Sequence, residues 1–307
     1  MSENLGTINW YPGHMARTKR QLQEQIRRVD LIIEVCDARL PYSSRNPDLD
    51  CIIGSKNRLL FLNKADLADS DMNKAWIAHF RSQGIDAYLT DAVRTRAKDT
   101  VRIIERATKA AVDKALAKGV RKTVRAMIVG VPNAGKSTLI NSLHGKAVAR
   151  IGDRPGVTKS NQWVRISPYL ELLDTPGMLW PRLDDQTAAR RLCYIGSVKD
   201  DVVDINELAL SLLEELCSIV PDKVKERYHI EDTGVRGAAL LDAACAGRGW
   251  LLKGAQPDYD RGCSVILDEY RAGKLGRITL EAPPAMPERR QGTDDGPQSE
   301  ISRTDDV

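Results

Sequence analysis

Residues 130–137, Gly-Val-Pro-Asn-Ala-Gly-Lys-Ser, fit the pattern G-x-x-x-x-G-K-[ST]. They lie directly after the apolar run AMIVG (126–130) and directly before the helical pattern STLINSLHG (137–145). In that strand–turn–helix context the pattern forms a cradle for phosphates. Gly130 and Gly135 let backbone amides turn inward around phosphate oxygens, where a Cβ would obstruct them. The helix beginning near Lys136 offers its unpaired N–H groups and positive dipole end to the same anion. Lys136 is expected to reach the β- and γ-phosphates and the Ser137 hydroxyl to ligate Mg²⁺; Asn133, Ala134, Gly135 and Thr138 complete the expected contact set. An incidental glycine-rich turn is the alternative, and it requires every position and both flanks to coincide. The loop implies a nucleoside triphosphate and is silent on its base.

A second signal concerns the base. Asn63-Lys64-Ala65-Asp66 ends the apolar run RLLFLN (58–63), where ligand loops of open parallel sheets emerge. The Asp66 carboxylate can accept hydrogen bonds from guanine N1–H and its 2-amino group, a donor pair that adenine lacks. Alone, N-K-x-D is a weak pattern, and Asp66 can equally be the N-cap of a helix. The next strand adds Thr90-Asp91-Ala92, placed where a GTPase carries the small-residue loop that meets guanine O6 through backbone N–H. After the phosphate loop, GDRPGVTKS supplies Thr158 as a switch I metal ligand. LELLDTPGM supplies Asp174, to hold Mg²⁺ through water, and Gly177, whose amide senses the γ-phosphate. Five GTPase elements are therefore present in cyclically shifted order: base reader, second base loop, phosphate loop, switch I, switch II.

These residues need a scaffold. The runs LIIEVCDA (31–38), RLLFLN, DAYLTDA (86–92), AMIVG, NQWVRI and YLELLD alternate with helical patterns up to about residue 184. That alternation predicts an α/β P-loop GTPase domain, circularly permuted, with a mostly parallel sheet and helices on both faces. A helix over 99–119 and a basic connector would join the former chain ends, as a sheet tolerates if its termini lie close. The predicted GTPase domain spans 1–184, with a basic segment at 1–28. From 185 to 281 the pattern is amphipathic helix throughout, predicting a small all-helical domain. Residues 282–307 are rich in Pro, Gly and Asp, and a disordered tail is expected. The 307-residue chain has net charge +4, compatible with a nucleic-acid partner without demanding one. No membrane-length apolar run and no secretory signal pattern is present, and the six cysteines are scattered without a C-x-x-C pair. A cytoplasmic protein with small buried thiols is expected.

Together with INWYPGHMARTKRQ near the start, VCDARLP (35–41) and DRGCSVILDEYRAGKLGRITLE (260–281), this order resembles the circularly permuted GTPases of the YlqF/RbgA family from about residue 7 to 281. The resemblance implies GTP hydrolysis to GDP in assembly of the large (50S) ribosomal subunit, with a subunit precursor and its rRNA as partners. It further implies a monomer, Mg²⁺ as cofactor and K⁺ as a second ion. Asn133 resembles the asparagine that helps coordinate K⁺ in cation-dependent relatives, and His14 the family histidine that approaches the γ-phosphate. Asp91 departs from the pattern, since many members carry a small residue there. Where Ras-type enzymes use a water-orienting glutamine, this chain has Met178 followed by Leu179. His14 is thus a candidate to orient water, and its alternative is an exposed or RNA-contacting histidine. Four basic clusters, Arg17/Lys19/Arg20 with Arg27/Arg28, Arg121/Lys122/Arg125, Arg182/Arg190/Arg191 and Lys223/Lys225/Arg227, are expected to meet rRNA phosphates. Two rival readings stand: a nucleotide-gated RNA-binding module with incidental hydrolysis, and a P-loop kinase or ATPase, which Asp66 opposes.

Overall fold

The computed structural model describes residues 22–47, 49–54, 56–145, 162–177 and 185–284. β1 (Leu31–Asp37) is buried along its whole length, as a largely apolar run in the middle of a parallel sheet requires, with Glu34 and Asp37 buried among its apolar residues. It pairs in parallel with β2 (Asn57–Asn63) and with β4 (Val124–Val129). β3 (Asp86–Leu89) adds in parallel outside β2, and β6 (Leu170–Asp174) in parallel outside β4. β5 (Gln162–Ser167) closes the edge antiparallel to β6, giving the order β3-β2-β1-β4-β6-β5. The chain thus grows outward from β1 through β2 to β3, crosses back to β4, passes to the far edge as β5, and returns as β6 between β4 and β5. The switch point lies between β1 and β4, where open α/β sheets bind ligands at the carboxyl ends of their strands. The crossing is made by α4 (Ala97–Leu116), the helix expected to join the permuted ends.

Alternate residues of β1 divide the helices between two faces. Leu31, Ile33 and Val35 share a core with Ile104 of α4 and with Leu139 and Ile140 of α5 (Lys136–His144). On the other face, Cys36 lies with Trp76 and Phe80 of α3 (Ser70–Ser82) in one cluster. Ile32 lies in another with Leu22 and Ile26 of the helical residues 22–27 (α1) and Leu49 of α2 (Leu49–Ile53). Sequence pattern marked 22–27 only as a basic segment; its Leu22 and Ile26, four apart, are buried against the sheet while Arg27 and Arg28 face out.

From Asp185 onward the described residues form α6 (Gln186–Tyr194), α7 (Ile205–Ile219), α8 (Pro221–Tyr228), α9 (Ala238–Arg248) and α10 (Tyr259–Arg271). Asp185, Asp204 and Asp258 cap three of these helices, and Pro221 stands in the first turn of a fourth, where its missing N–H costs nothing. Leu212, Leu213 and Leu216 of α7 are wholly buried in a core continuous with that of the sheet. Beyond α10 the chain is not helical and returns to the sheet half. Ile278 N donates to Leu67 O (3.0 Å), Leu280 N to Arg39 O (3.0 Å), and Trp76 Nε1 to Glu281 O (2.8 Å). The Glu281 carboxylate accepts from the Tyr42 and Ser43 amides. Among the described residues no helix is long and apolar enough to cross a membrane; Cys51 is exposed and the other five thiols are buried.

Candidate nucleotide site

The phosphate loop leaves β4 and enters α5 with Gly135 at φ 92°, a left-handed turn that an L side chain adopts only with strain. A Cβ there would also lie 2.2 Å from Asn63 Nδ2. Lys136 is nearly buried, and its ammonium donates to the carbonyls of Gly130 (3.2 Å) and Val131 (2.8 Å) within its own loop. Burial pushes its pKa down to about 8, against the opposing pull of Asp174, with Lys64 adding a smaller depression. An anion in the cradle would favour the charged form, which the protein alone disfavours.

Asn63 joins the separate pieces. Its Nδ2 donates to Ala134 O in the phosphate loop (2.8 Å). Its Oδ1 accepts from Ala92 N (3.0 Å) and Thr90 Oγ1 (3.3 Å) in the second base loop. One buried amide therefore locks base reader, second base loop and phosphate loop together. Ala65 N donates to Thr90 O (3.1 Å), reinforcing the junction. Asp66 is not a helix cap: Asp69 caps α3, accepting from Asp71 N and Met72 N at 2.9 Å each. Asp91 turns its carboxylate back onto Val93 N and Arg94 N, so its side chain serves its own turn.

Sequence pattern alone gave no role to Asp37 and Arg39 of VCDARLP. They form a fully buried ion pair (2.8 Å) at the end of β1. Burial by itself would raise the Asp37 pKa, but Arg39 and then Lys64 (3.2 Å) hold it well below the usual carboxylate range. Arg39 also donates to the carbonyls of Tyr270 (3.0 Å) and Arg271 (3.2 Å) at the end of α10. An Asp-x-Arg that interrupts an apolar strand end is the signal in sequence, since charges in such a place must be paired.

Ser137 and Asp174, the expected metal ligands, lie side by side. Ser137 Oγ donates to Asp174 Oδ2 (3.3 Å), while the buried Oδ1 has no hydrogen-bond partner among the described residues. Desolvation raises the Asp174 pKa. A hydroxyl and a buried carboxylate with an orphaned oxygen fit a hard, oxygen-seeking cation such as Mg²⁺, which would supply charge neutralisation at the phosphates. Thr175 is tied to the sheet by its hydroxyl on Ile128 O (2.6 Å), and Gly177 packs against Pro132. Asn133 sits at φ 60° with Nδ2 donating to Ile195 O (2.9 Å), and Ser197 Oγ donates to Pro132 O (2.7 Å). The turn after α6 thus rests directly on the phosphate loop. Thr138 lies half-buried in the first turn of α5. His14, Thr158, Met178, Leu179, Arg182 and the cluster Arg17/Lys19/Arg20 lie outside the described residues.

The other basic clusters are partly committed to internal pairs. Arg191 bonds Glu215 (2.6 Å) and reaches Glu281 (3.5 Å), Arg227 pairs with Glu269, and Lys223 donates to Arg277 O (2.8 Å). Lys122 pairs with Asp30 (2.6 Å) and Arg125 with Glu171 (3.1 Å). Arg27, Arg28, Arg121 and Lys225 remain exposed.

Residues 125–231 match the family described as 50S ribosome-binding GTPase. Ribosome biogenesis GTPase A of Bacillus cereus is 44% identical over 281 residues, covering 90% of this chain and 94% of that protein. The GDP-bound structure of TM YlqF superposes with TM-score 0.64 at 27% identity, covering 86% of this chain and 99% of that one. GNP-bound YlqF from T. maritima gives TM-score 0.63 at 27% identity, covering 87% and 99%. With the phosphate loop, the Asn63–Asp66 loop and Asp174 arranged in permuted order at the carboxyl ends of neighbouring strands, the chain belongs to the ribosome biogenesis GTPase A family, the circularly permuted YlqF/RbgA GTPases.

Proposed function

We propose that this cleft binds GTP and GDP, that Mg²⁺-dependent hydrolysis of GTP occurs there, and that the cycle serves assembly of the large ribosomal subunit. The observation that carries this reading is Asn63, whose single amide ties base-reading and phosphate-gripping loops into one site. Asp66 reads the guanine edge, Ala92 and its neighbours face O6, and Lys136 with the α5 amides grips the phosphates. Ser137, Thr158 and Asp174 hold Mg²⁺, and Asn133 supports a K⁺ ion. The working division is a GTPase domain to 184, a helical RNA-facing unit over 185–281 and a tail beyond, in a cytoplasmic monomer. Nucleotide state acts on the helical unit through the turn at Ile195 and Ser197, which touches the phosphate loop, and so changes affinity for rRNA in the precursor particle.

GTP turnover with and without large-subunit precursor particles tests the reading. Stimulation by particles supports an assembly GTPase. Unchanged turnover, with particle binding that still depends on nucleotide, supports instead an RNA-binding module with incidental hydrolysis, which Met178 at the glutamine position favours. His14→Ala assayed on the particle tests the water-orienting role, and an unaltered kcat there removes His14 from the chemistry.

A further inference from the structure

Asp66 lies in a turn that Leu67 N closes by donating to Lys64 O (2.9 Å). What holds that turn comes largely from the far end of the chain. Leu67 O accepts from Ile278 N (3.0 Å). Asp69 N donates to Thr279 Oγ1 (3.0 Å), a partner 210 positions away. The Leu67 side chain lies against Gly273, where a Cβ would come within 2.6 Å of Leu67 Cδ2. On the other side of Asp66, Lys64 is held by Asp37, Asp37 by Arg39, and Arg39 by the carbonyls that end α10.

We propose that the C-terminal segment 273–281 positions the guanine-reading loop and thereby sets base specificity. This rests on the reading of Asp66 as the guanine acceptor. Two simultaneous bonds from one carboxylate to N1–H and the 2-amino group demand orientation held within a narrow tolerance. A short half-buried turn closed by one backbone bond does not hold such an orientation unaided. Ile278 and Thr279 grip it immediately after Asp66, and the α10 end grips it immediately before through Arg39. Thr279 and Leu67 are therefore positioning residues rather than nucleotide contacts. The family's helical unit thereby gains a role in choosing the nucleotide as well as in responding to it.

The test compares affinities of the full-length protein for GDP, IDP and XDP by calorimetry in Mg²⁺. IDP lacks the 2-amino donor and XDP replaces it with a carbonyl, so their ratios to GDP read the Asp66 carboxylate alone. Thr279→Val removes the acceptor for Asp69 N, and Leu67→Ala removes the contact at Gly273. In each variant the GDP-to-IDP affinity ratio should fall by about fivefold, roughly 1 kcal/mol. General destabilisation weakens all three nucleotides together and leaves the ratio unchanged; that outcome in both variants overturns the proposal. Should Thr279→Val fold poorly, as thermal unfolding reports, the half-buried Leu67→Ala decides alone. Asp66→Asn separates the two layers, because an amide N–H suits the xanthine carbonyl and should reverse the preference toward XDP. If Asp66→Asn leaves the ratios of the unmodified protein, the guanine reading itself falls and takes the proposal with it. If it reverses them while both variants keep the original GDP-to-IDP ratio, only the positioning role is refuted.

Discussion

The two halves of the nucleotide site are built in opposite ways. The phosphate half is a stretch of consecutive residues, 130–138, whose strand exit, left-handed glycine and helix start place Lys136 and Ser137 by local geometry. The proposed base half has a reader of four residues, 63–66, but its supports come from elsewhere. They are Thr90 and Ala92 beyond β3, Asp37 and Arg39 at the end of β1, and Ile278 and Thr279 near the end of the described chain. A local device keeps its shape wherever it is spliced, whereas a dispersed one depends on the whole fold. Circular permutation keeps the first contiguous, while the second draws its hydrogen bonds from distant parts of the chain, the return of the chain onto Leu67 and Asp69 among them.

Substitutions can break this contrast or sharpen it. The largest effect is expected for Lys136→Ala, which removes the one charged side chain of residues 130–138, the one proposed to grip the phosphates. Phosphate release should fall by about 10³-fold, while the preference for GTP over ATP in binding competition persists. Loss of that preference would show that the halves are not separable. Asn63→Ala strikes both at once, because it strands Ala134 O and Ala92 N without their partner. Two unsatisfied buried groups cost on the order of 3 kcal/mol, so GDP affinity should drop by about 100-fold, with a lowered melting temperature. An effect on base preference alone would contradict the bridging role.

The third prediction concerns pH and the phosphate half. Without ligand, burial holds Lys136 at about 8, and a bound phosphate raises that value. Above pH 8 binding must take up a proton, so GDP affinity should fall by about tenfold per pH unit; below pH 8 this residue adds no dependence. The stability of the ligand-free fold has the opposite sign. The folded pKa lies below the ordinary lysine value of 10.5, so the unfolded chain binds more protons between 8 and 10.5, and stability rises with pH across that window. Calorimetry and thermal melts from pH 7 to 10 read both slopes. The smallest effect is expected at the contact between helical turn and phosphate loop: Ser197→Ala loses one buried bond to Pro132 O, about 1 kcal/mol of stability, with GDP affinity changed less than about threefold.

The strands and main helices follow from apolar runs and 3.6-residue spacing, and the phosphate loop from its own pattern. Three features escaped. The helical residues 22–27 were hidden because basic residues dominate their exposed face, leaving Leu22 and Ile26 as the whole apolar signal. Asp69, not Asp66, caps α3; in a stretch with acidic residues at 66, 69 and 71 only the backbone angles choose among them. Arg191 and Arg227 stand in clusters expected to meet rRNA phosphates, yet each pairs with a carboxylate 24 or 42 positions away, beyond the reach of helix-spacing rules.

By itself, then, the order of residues determined the ligand class, the permutation and the two-part architecture. Each of these is written in short contiguous segments where local geometry and chemistry coincide. Only tertiary structure decided that Asn63 fastens three loops, that the Asp37–Arg39 pair ends in the carbonyls of α10, and that Ile278 and Thr279 reach back beneath the base reader. The reason is that a hydrogen bond across 71 or 210 positions leaves no periodicity along the chain. It exists only once the core has closed and brought donor and acceptor out of water together.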